Sequence, residues 1–211
     1  MASILVLGAT GGTGRQVLSQ GIARGDALTA LVRDPARLGA DVGPARVVVG
    51  DVLDESVDLA SAMRGHDAVV SVLGVGKSFR SNGLIRRAAP KIVRAMESAG
   101  VRRFVMLSAY GVGASMRDVP PLPRLFISLL LRDVYADKNA GEETIRGSSL
   151  DWTIVHAVTL TDGPRTGNSV AAERMQLSGF PRISRADVAA FLLTAVENRS
   201  FPRQDVLLRS G

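Results

Sequence analysis

The 211-residue sequence contains no cysteine, two histidines, three lysines and nine aromatic residues. The lack of cysteine excludes disulfides, thiolate metal ligands and cysteine nucleophiles. No apolar run approaches the roughly 20 residues that a membrane-spanning helix needs. The first predicted strand begins so early that we expect no signal peptide before it. We therefore expect a cytoplasmic protein that does not enter a membrane.

Arginine supplies nearly all of the positive charge. The formal net charge is +6, and 23 of the 26 basic residues are arginines scattered along the chain. A basic surface raises the question of nucleic-acid binding. The few aromatic residues, however, are not interleaved with the arginines as base stacking requires. We expect a small-molecule substrate, no nucleic-acid partner, and a monomer or a weak homodimer.

Short apolar runs alternate with segments of helical periodicity. Strands are predicted at residues 3–7, 27–32, 47–49, 68–73, 104–107 and 152–155, with an edge strand at 206–208. Pro90 is expected to kink or restart the helix at 84–96, and the three prolines in 118–123 predict a loop. Strands rich in Val, Ile and Leu with little alternation indicate a parallel sheet covered on both faces. The prediction is one α/β domain over residues 1–211, a doubly wound, Rossmann-type parallel sheet with helices on both faces.

A glycine-rich segment follows the first predicted strand and opens the first helix. The candidate phosphate-binding residues in it are Gly8, Thr10, Gly11, Gly12, Thr13 and Gly14. Three of the glycines are spaced as Gly-x-x-Gly-x-x-Gly, which permits a tight turn and a close approach of backbone to a pyrophosphate. The helix N-terminus adds free amides and a positive dipole end. The alternative is a glycine-rich turn without a ligand, but the order strand, turn, helix favours dinucleotide binding.

Charge after the second strand indicates which dinucleotide binds. Arg33 follows that strand directly, and Arg37 lies one helical turn further on. A guanidinium suits the 2′-phosphate of NADP, so the sequence favours NADP(H) over NAD(H). Asp34 is the competing feature, because an inward carboxylate would hold the ribose hydroxyls of NAD. A solvated loop is the alternative for both arginines.

Several motifs occur in the order of a known family. They lie at residues 8–14, 31–34, 49–52, 73–74, 107–109 and 183–188. The chain resembles the atypical short-chain dehydrogenase/reductases, in the NmrA-like group that includes NADPH-dependent flavin and biliverdin-IXβ reductases. The resemblance implies that Asp51 and Val52 contact the adenine. It also implies that Leu73 and Gly74 line the ribose and pyrophosphate, and that Ser108 lies beside the nicotinamide. The alternatives are a turn or cap residue at Asp51 and a local backbone partner for Ser108.

The wider superfamily uses a Tyr-x-x-x-Lys pair, which this chain lacks. Lys138 matches the lysine end, but Val134 stands where the tyrosine belongs. Tyr135 and Tyr110 are the available phenols, so the candidate catalytic residues are Ser108, Tyr110, Tyr135 and Lys138. Lys138 either holds ribose hydroxyls or pairs with neighbouring carboxylates on the helix surface.

The second histidine is a further candidate. His156 follows the sixth strand, where it is either a proton donor or a structural hydrogen-bonding residue. Neither His66 nor His156 is accompanied in the sequence by a carboxylate cluster, so no metal site is predicted.

These features together predict an NADPH-dependent reductase that transfers hydride to a flavin, quinone or similar conjugated acceptor. Loops around residues 109–131 and 157–180 are expected to frame the substrate pocket. In the first of these, Leu125, Phe126, Leu129 and Leu130 share one helical face, which packs in the core or forms a lid or a contact with another chain. Two alternatives remain for the function: an NADP(H)-sensing regulator without turnover, and an isomerase or dehydratase that retains its cofactor.

Overall fold

The computed structural model describes residues 1–39, 43, 45–76, 78–175, 177, 179 and 181–211. The strands are β1 (Ser3–Leu7), β2 (Ala27–Val32), β3 (Arg46–Val49), β4 (Ala68–Ser71), β5 (Arg103–Ala109), β6 (Asp151–Ala157), β7 (Thr159–Thr161), β8 (Ser169–Ala172), β9 (Arg182–Ser184) and β10 (Gln204–Ser210). The α-helices are α1 (Gly12–Ala23), α2 (Leu59–Met63), α3 (Leu84–Ala99), α4 (Pro121–Leu130), α5 (Arg132–Arg146) and α6 (Arg185–Glu197).

Eight strands form one sheet in the order β3-β2-β1-β4-β5-β6-β10-β8, and β7 pairs with β9 in a small second sheet. Neighbouring strands of the large sheet are parallel except β10 and β8. From β1 the chain builds outward through β2 and β3 on one side and through β4 and β5 on the other. The prediction of a doubly wound sheet is therefore confirmed. In such sheets, ligands bind beyond the carboxyl ends of the strands where the order reverses, which here is between β1 and β4.

Helices cover both faces of the sheet. Helices α1 and α6 pack on one face, where Leu18 and Leu192 are fully buried. Helices α2, α3 and α5 pack on the other, with Met63, Ile92 and Ile145 in the core. Burial on both faces explains why the strands read as nearly uninterrupted apolar runs.

Two local predictions are wrong. The predicted edge strand at 206–208 is the interior strand β10, because β8 pairs antiparallel with its outer side. The predicted loop at 118–123 is largely helical: a 3₁₀ turn covers Gly113–Asp118, and α4 begins at Pro121. Proline fits the first turn of a helix because its missing N–H would have no partner there. At Pro90 the sequence left a kink or a restart open, and α3 continues through this proline without a restart.

Helix α4 presents most of its apolar side chains outside the core. Five of them are between 51% and 71% exposed, namely Leu122, Leu125, Phe126, Leu129 and Leu130. Ile127, which lies off the predicted stripe, is the buried one. The stripe therefore does not pack in the core. At ten residues α4 is far too short to cross a membrane, and no other helix in the described ranges meets the length and hydropathy needed.

Helix α3 is capped by a residue of α5. Gly83 precedes α3 and has no side chain to cap it. Instead, the buried carboxylate of Asp137 accepts hydrogen bonds from the amides of Ile85 (2.9 Å) and Arg86 (3.0 Å). These amides have no acceptor within the helix, and the dipole favours a negative charge at this end. Asp137 thus fixes the position of α5, which carries the candidate residues Tyr135 and Lys138.

Replacing Asp137 tests this cap. Asp137→Ala should lower the free energy of unfolding by about 1–3 kcal/mol, because it leaves two amides without an acceptor. Urea denaturation measures the change. Glu143→Ala is the matched control, because Glu143 lies exposed on the same helix and accepts a hydrogen bond from the Asn139 side chain. The control should stay within about 0.5 kcal/mol of the wild type. Equal losses in the two variants would contradict the capping role.

Candidate functional site

A cleft of about 1840 Å³ opens at the carboxyl ends of the parallel strands. The loops after β1 to β6 and one side of α4 form its walls. The structure brings to this cleft all the predicted cofactor-binding and catalytic residues, which are Gly8, Thr10, Gly11, Gly12, Thr13, Gly14, Arg33, Arg37, Asp51, Val52, Leu73, Gly74, Ser108, Tyr110, Tyr135 and Lys138. Both predicted pocket-framing segments also contribute to the lining. Of the second, Gln176, Ser178 and Phe180 lie outside the described residues.

The glycine loop has the geometry of a phosphate cradle. Gly8 has φ +83°, and a Cβ there would lie 2.7 Å from the carbonyl oxygen of Val72. A Cβ on Gly14 would overlap the backbone of Gly8 and Ala9, so α1 packs directly against the end of β1. The first amides of α1 have no acceptor within the helix, and the residues that carry them line the cleft. The residues present therefore fit the pyrophosphate of a dinucleotide.

The two predicted arginines, Arg33 and Arg37, follow β2 and line the same cleft as the glycine loop. The side chain of Arg33 is 70% exposed, with Nη1 3.8 Å from Oδ2 of Asp51. Asp34 accepts a hydrogen bond from the amide of Ala36 at 3.0 Å and caps the 3₁₀ turn that carries Arg37. The carboxylate of Asp34 is therefore engaged with its own turn, and the guanidinium of Arg33 lines the cleft.

One basic residue near Arg37 was not predicted. Arg15 follows the last glycine of the motif, and its Nη2 donates to the carbonyl oxygen of Arg37 at 2.7 Å. It ties α1 to the 3₁₀ turn that carries Arg37. Its place directly after the glycine motif was the available signal.

Asp51 has the turn role that the sequence left open as one alternative. Its Oδ1 accepts from the amide of Leu53 at 2.9 Å, which shapes the turn after β3. The same side chain lines the cleft beside buried Val52 and lies near Arg33. Asp51 thus orients the turn and also lines the cleft.

Ser108 ends against a buried carboxylate. Its hydroxyl donates to Oε1 of Glu142, which is completely buried on α5. Nη2 of Arg146 also donates to Glu142, at 2.8 Å. Because the hydroxyl proton of Ser108 points at Glu142, its oxygen lone pairs remain for a donor in the cleft. Glu142 was not predicted as a site residue, although it lies four residues after Lys138 and therefore on the same helical face.

The two phenols donate to backbone groups. The hydroxyl of Tyr135 donates to the carbonyl oxygen of Tyr110 at 3.2 Å, and that of Tyr110 donates to the carbonyl oxygen of Asp118. Burial raises the pKa of Tyr135 to about 12, and burial followed by the charge of Asp118 raises the pKa of Tyr110. Both phenols therefore stay neutral, and both have protein acceptors. Burial lowers the pKa of Lys138, opposed by the nearby charges of Glu142 and Asp137.

His156 belongs to a charge network in which His156 and Glu142 are buried and Arg146 and Asp205 are partly exposed. Its Nδ1 lies 3.2 Å from the carbonyl oxygen of Ala109, and its Nε2 lies 2.9 Å from Oδ1 of Asp205. The expectation that no carboxylate cluster accompanies the histidines is wrong for His156. In the folded protein, Glu142 and Asp205 both have carboxylate oxygens within 4.8 Å of its ring nitrogen. Arg146, however, donates to both carboxylates, at 2.8 Å and 2.6 Å. A guanidinium thus already supplies the positive charge that a metal would bring.

The pKa values of the network follow from these contacts. Burial opposes the charged imidazolium, but the hydrogen bond to Asp205 and the charge of Glu142 outweigh it and raise the pKa of His156. Burial likewise opposes the charged carboxylate of Asp205. The hydrogen bonds from His156 and Arg146 outweigh it and lower the pKa of Asp205 to about 2. The arrangement supports the structural role that the sequence left open for His156.

The strand–glycine loop–helix unit at the point where the strand order reverses defines a dinucleotide-binding α/β protein. The family model described as NAD(P)H-binding matches residues 8–199, and the chain belongs to that family. The resemblance to the NmrA-like, atypical short-chain dehydrogenase/reductases is confirmed. The family places the protein among nicotinamide-cofactor-binding, oxidoreductase-like proteins.

Individual relatives cover nearly the whole chain. The uncharacterized sugar epimerase YhfK of Bacillus subtilis is 27% identical over 208 residues, which cover 94% of this chain and 92% of YhfK. The anaerobillin reductase ChuY of Escherichia coli O157:H7 has a TM-score of 0.79 at 25% identity, covering 98% of this chain and 96% of ChuY. The oxidoreductase ylbE of Lactococcus lactis shares the fold, with a TM-score of 0.83 at 22% identity. The match covers 99% of this chain and 91% of ylbE.

The raised pKa of His156 can be measured directly. Asp205→Asn should lower it, because the variant removes the carboxylate that stabilises the imidazolium. Since the folded pKa lies above the unfolded one, the contribution of His156 to stability is complete below pH ~6.5 and is lost as the pH rises through the folded value. Proton NMR follows both histidines, and His66, which contacts Thr29 and Met63, is the internal control. An unchanged His156 titration would contradict the coupling.

Proposed function

We propose that the protein is an NADPH-dependent reductase of the atypical short-chain type that transfers hydride to a flavin, a quinone or a similar conjugated acceptor. One observation carries the proposal: a single cleft joins the glycine loop at one end to an apolar wall formed by α4 at the other. The similarity to ChuY, an anaerobillin reductase, supports a reductase. We further propose that residues 1–211 act as one domain.

The glycine loop and the arginines divide the binding of the cofactor between them. The amides at the start of α1 hold the pyrophosphate, and Arg33 and Arg37 hold the 2′-phosphate. Asp34 is engaged in its own turn, which supports NADP(H) over NAD(H). When bound, the cofactor supplies the hydride, and the protein sets its orientation and excludes water.

The adenosine and ribose positions follow from the order of the loops along the cleft. All four of the residues assigned to them line the cleft: in this proposal Asp51 and Val52 contact the adenine, and Leu73 and Gly74 line the ribose and pyrophosphate. In this assignment Ser108 lies beside the nicotinamide, where its oxygen can accept a hydrogen bond from the carboxamide while its own O–H donates to Glu142.

The acceptor end combines apolar surface with little acid chemistry. Exposed apolar side chains of α4, including Leu122, Phe126 and Leu129, line the cleft and suit a flat apolar molecule. Tyr110 and Tyr135 donate to backbone carbonyls. The site therefore suits an acceptor that spreads the incoming charge by conjugation and needs no phenol as proton donor.

Loss of NADPH absorbance with a panel of flavins and quinones tests the reductase function. Steady turnover with members of the panel is expected. Tight cofactor binding without turnover on the whole panel would contradict the proposal and favour the sensing regulator. Conversion of a sugar-type substrate without net consumption of cofactor would favour the isomerase.

The cofactor preference depends on Arg33. Arg33→Ala should weaken the binding of NADPH by about 1.5–3 kcal/mol, the scale of a hydrogen bond between charged groups, and should leave the binding of NADH nearly unchanged. Fluorescence titration measures both affinities. Arg102→Ala is the matched control, because Arg102 is exposed and lies at the amino end of β5, away from the cleft. Equal losses for the two cofactors would remove Arg33 from the 2′-phosphate site.

The phenol of Tyr135 is expected to be dispensable. Tyr135→Phe should keep most of the kcat, because the hydroxyl donates to a backbone carbonyl and the acceptor needs no acid. Steady-state kinetics with the best acceptor of the panel checks this. A drop of about a hundredfold or more, the scale of lost general acid catalysis, would instead establish a tyrosine mechanism in a shifted register.

A further inference from the structure

Gly12 is not one of the three spaced glycines of the motif, yet the structure gives it a reason. A Cβ on Gly12 would lie 2.8 Å from Cδ and 3.1 Å from Nε of Arg185. Arg185 is the first residue of α6, and its side chain therefore lies directly across the first residue of α1. Any side chain at position 12 would push this guanidinium away from the glycine loop.

The guanidinium of Arg185 lies where an anion would be stabilised by positive charge on two sides. The N-terminus of α1 already carries the positive end of the helix dipole and free amides. The partner of Arg185 is the carboxylate of Asp162, 2.6 Å from Nη1, and the side chain of Asp162 is 89% exposed. An ion pair with so exposed a carboxylate contributes little stability. Both residues line the cleft beside the glycine loop.

The backbone around Arg185 is fixed, so only its side chain has to move. Ser184 caps α6 by accepting from the amide of Asp187 at 2.9 Å. Asp187 in turn accepts from the amides of Thr166 and Gly167, both at 2.9 Å, which ties the segment after Asp162 to α6. Nε2 of Gln20 donates to the carbonyl oxygen of Ala186 at 2.9 Å and ties α1 to α6.

We propose that Arg185 is a ligand of the cofactor pyrophosphate and that Asp162 competes with the pyrophosphate for its guanidinium. The inference rests on the proposed cofactor binding. The pyrophosphate enters between the α1 amides and Arg185 and replaces the carboxylate as ion partner. Asp162 is thereby released, and because it shares the cleft wall with Thr159 and Leu160, binding of the cofactor alters the side of the cleft where the acceptor binds.

Isothermal titration with two probes tests the assignment. NADP⁺ contains the pyrophosphate, whereas adenosine 2′-monophosphate contains the adenine and the 2′-phosphate without it. Arg185→Gln should weaken the binding of NADP⁺ by about tenfold or more, as expected for a charge-assisted contact to phosphate, and should leave the binding of adenosine 2′-monophosphate unchanged. Arg182→Gln is the matched control, since Arg182 is exposed on the neighbouring strand β9, and it should change neither affinity.

The variant Asp162→Asn should change the affinity for NADP⁺ in the opposite direction. Removal of the competing carboxylate should tighten the binding of NADP⁺ by about two- to tenfold, a change that damage to the fold would not produce. The double variant Arg185→Gln, Asp162→Asn should bind NADP⁺ as weakly as Arg185→Gln alone. Arg185→Lys, which keeps the charge, should restore part of the lost affinity, and it decides the matter together with Asp162→Asn if the glutamine variant does not fold.

The outcomes distinguish a failure of the proposed cofactor binding from a failure of the proposed role of Arg185. Wild-type protein that binds neither probe overturns the proposed cofactor binding itself. If the wild type binds both probes, two results would overturn the role of Arg185 and leave the cofactor site intact. One is that Arg185→Gln weakens the binding of both probes equally. The other is that Asp162→Asn binds NADP⁺ no more tightly than the wild type.

Discussion

The close approach of helix α1 to the end of strand β1 is the constraint on which the rest of the structure depends. Gly14 packs against the backbone of Gly8 and Ala9, and Gly8 packs against the carbonyl oxygen of Val72 after β4. A Cβ on Gly14 would push α1 away from the end of β1, and a Cβ on Gly8 would push the turn after β1 away from the segment after β4. Without this approach, the α1 amides would not reach the cleft, and α6 would not bring Arg185 to Gly12.

The sequence predicts the inner strands and the cofactor side of the cleft for the same physical reason. Parallel strands buried on both faces leave uninterrupted Val, Ile and Leu runs, and their bounds are easily recognised. Once the strands are parallel, their carboxyl ends meet at one edge. Residues as far apart as Gly8, Asp51 and Ser108 then line the same cleft. Local pattern and one topological rule therefore suffice for this part.

The remaining features depend on long-range contacts that no spacing reveals. His156 and Asp205 are 49 residues apart and meet because β6 and β10 are paired. The edge position of β8 depends on the same pairing, and its weak apolar pattern resembles that of a loop. For α4, periodicity identifies an apolar face but not its direction. A stripe that packs in the core and one that lines a cleft have the same spacing, and only the position of neighbouring elements decides between them.

The charge distribution of the cleft supports the proposed function, in which the cofactor and the acceptor bind at opposite ends of the cleft. Cationic groups lie at the glycine loop and at the turn after β2, whereas the α4 wall at the opposite end is apolar. Between these two regions, the hydroxyl of Ser108 donates a hydrogen bond to the buried carboxylate of Glu142, which is also paired with Arg146. A hydroxyl so oriented can hold a donor but does not protonate a substrate. A site with this arrangement favours acceptors whose own electrons delocalise the hydride charge, since it supplies orientation and exclusion of water more readily than it supplies an acid.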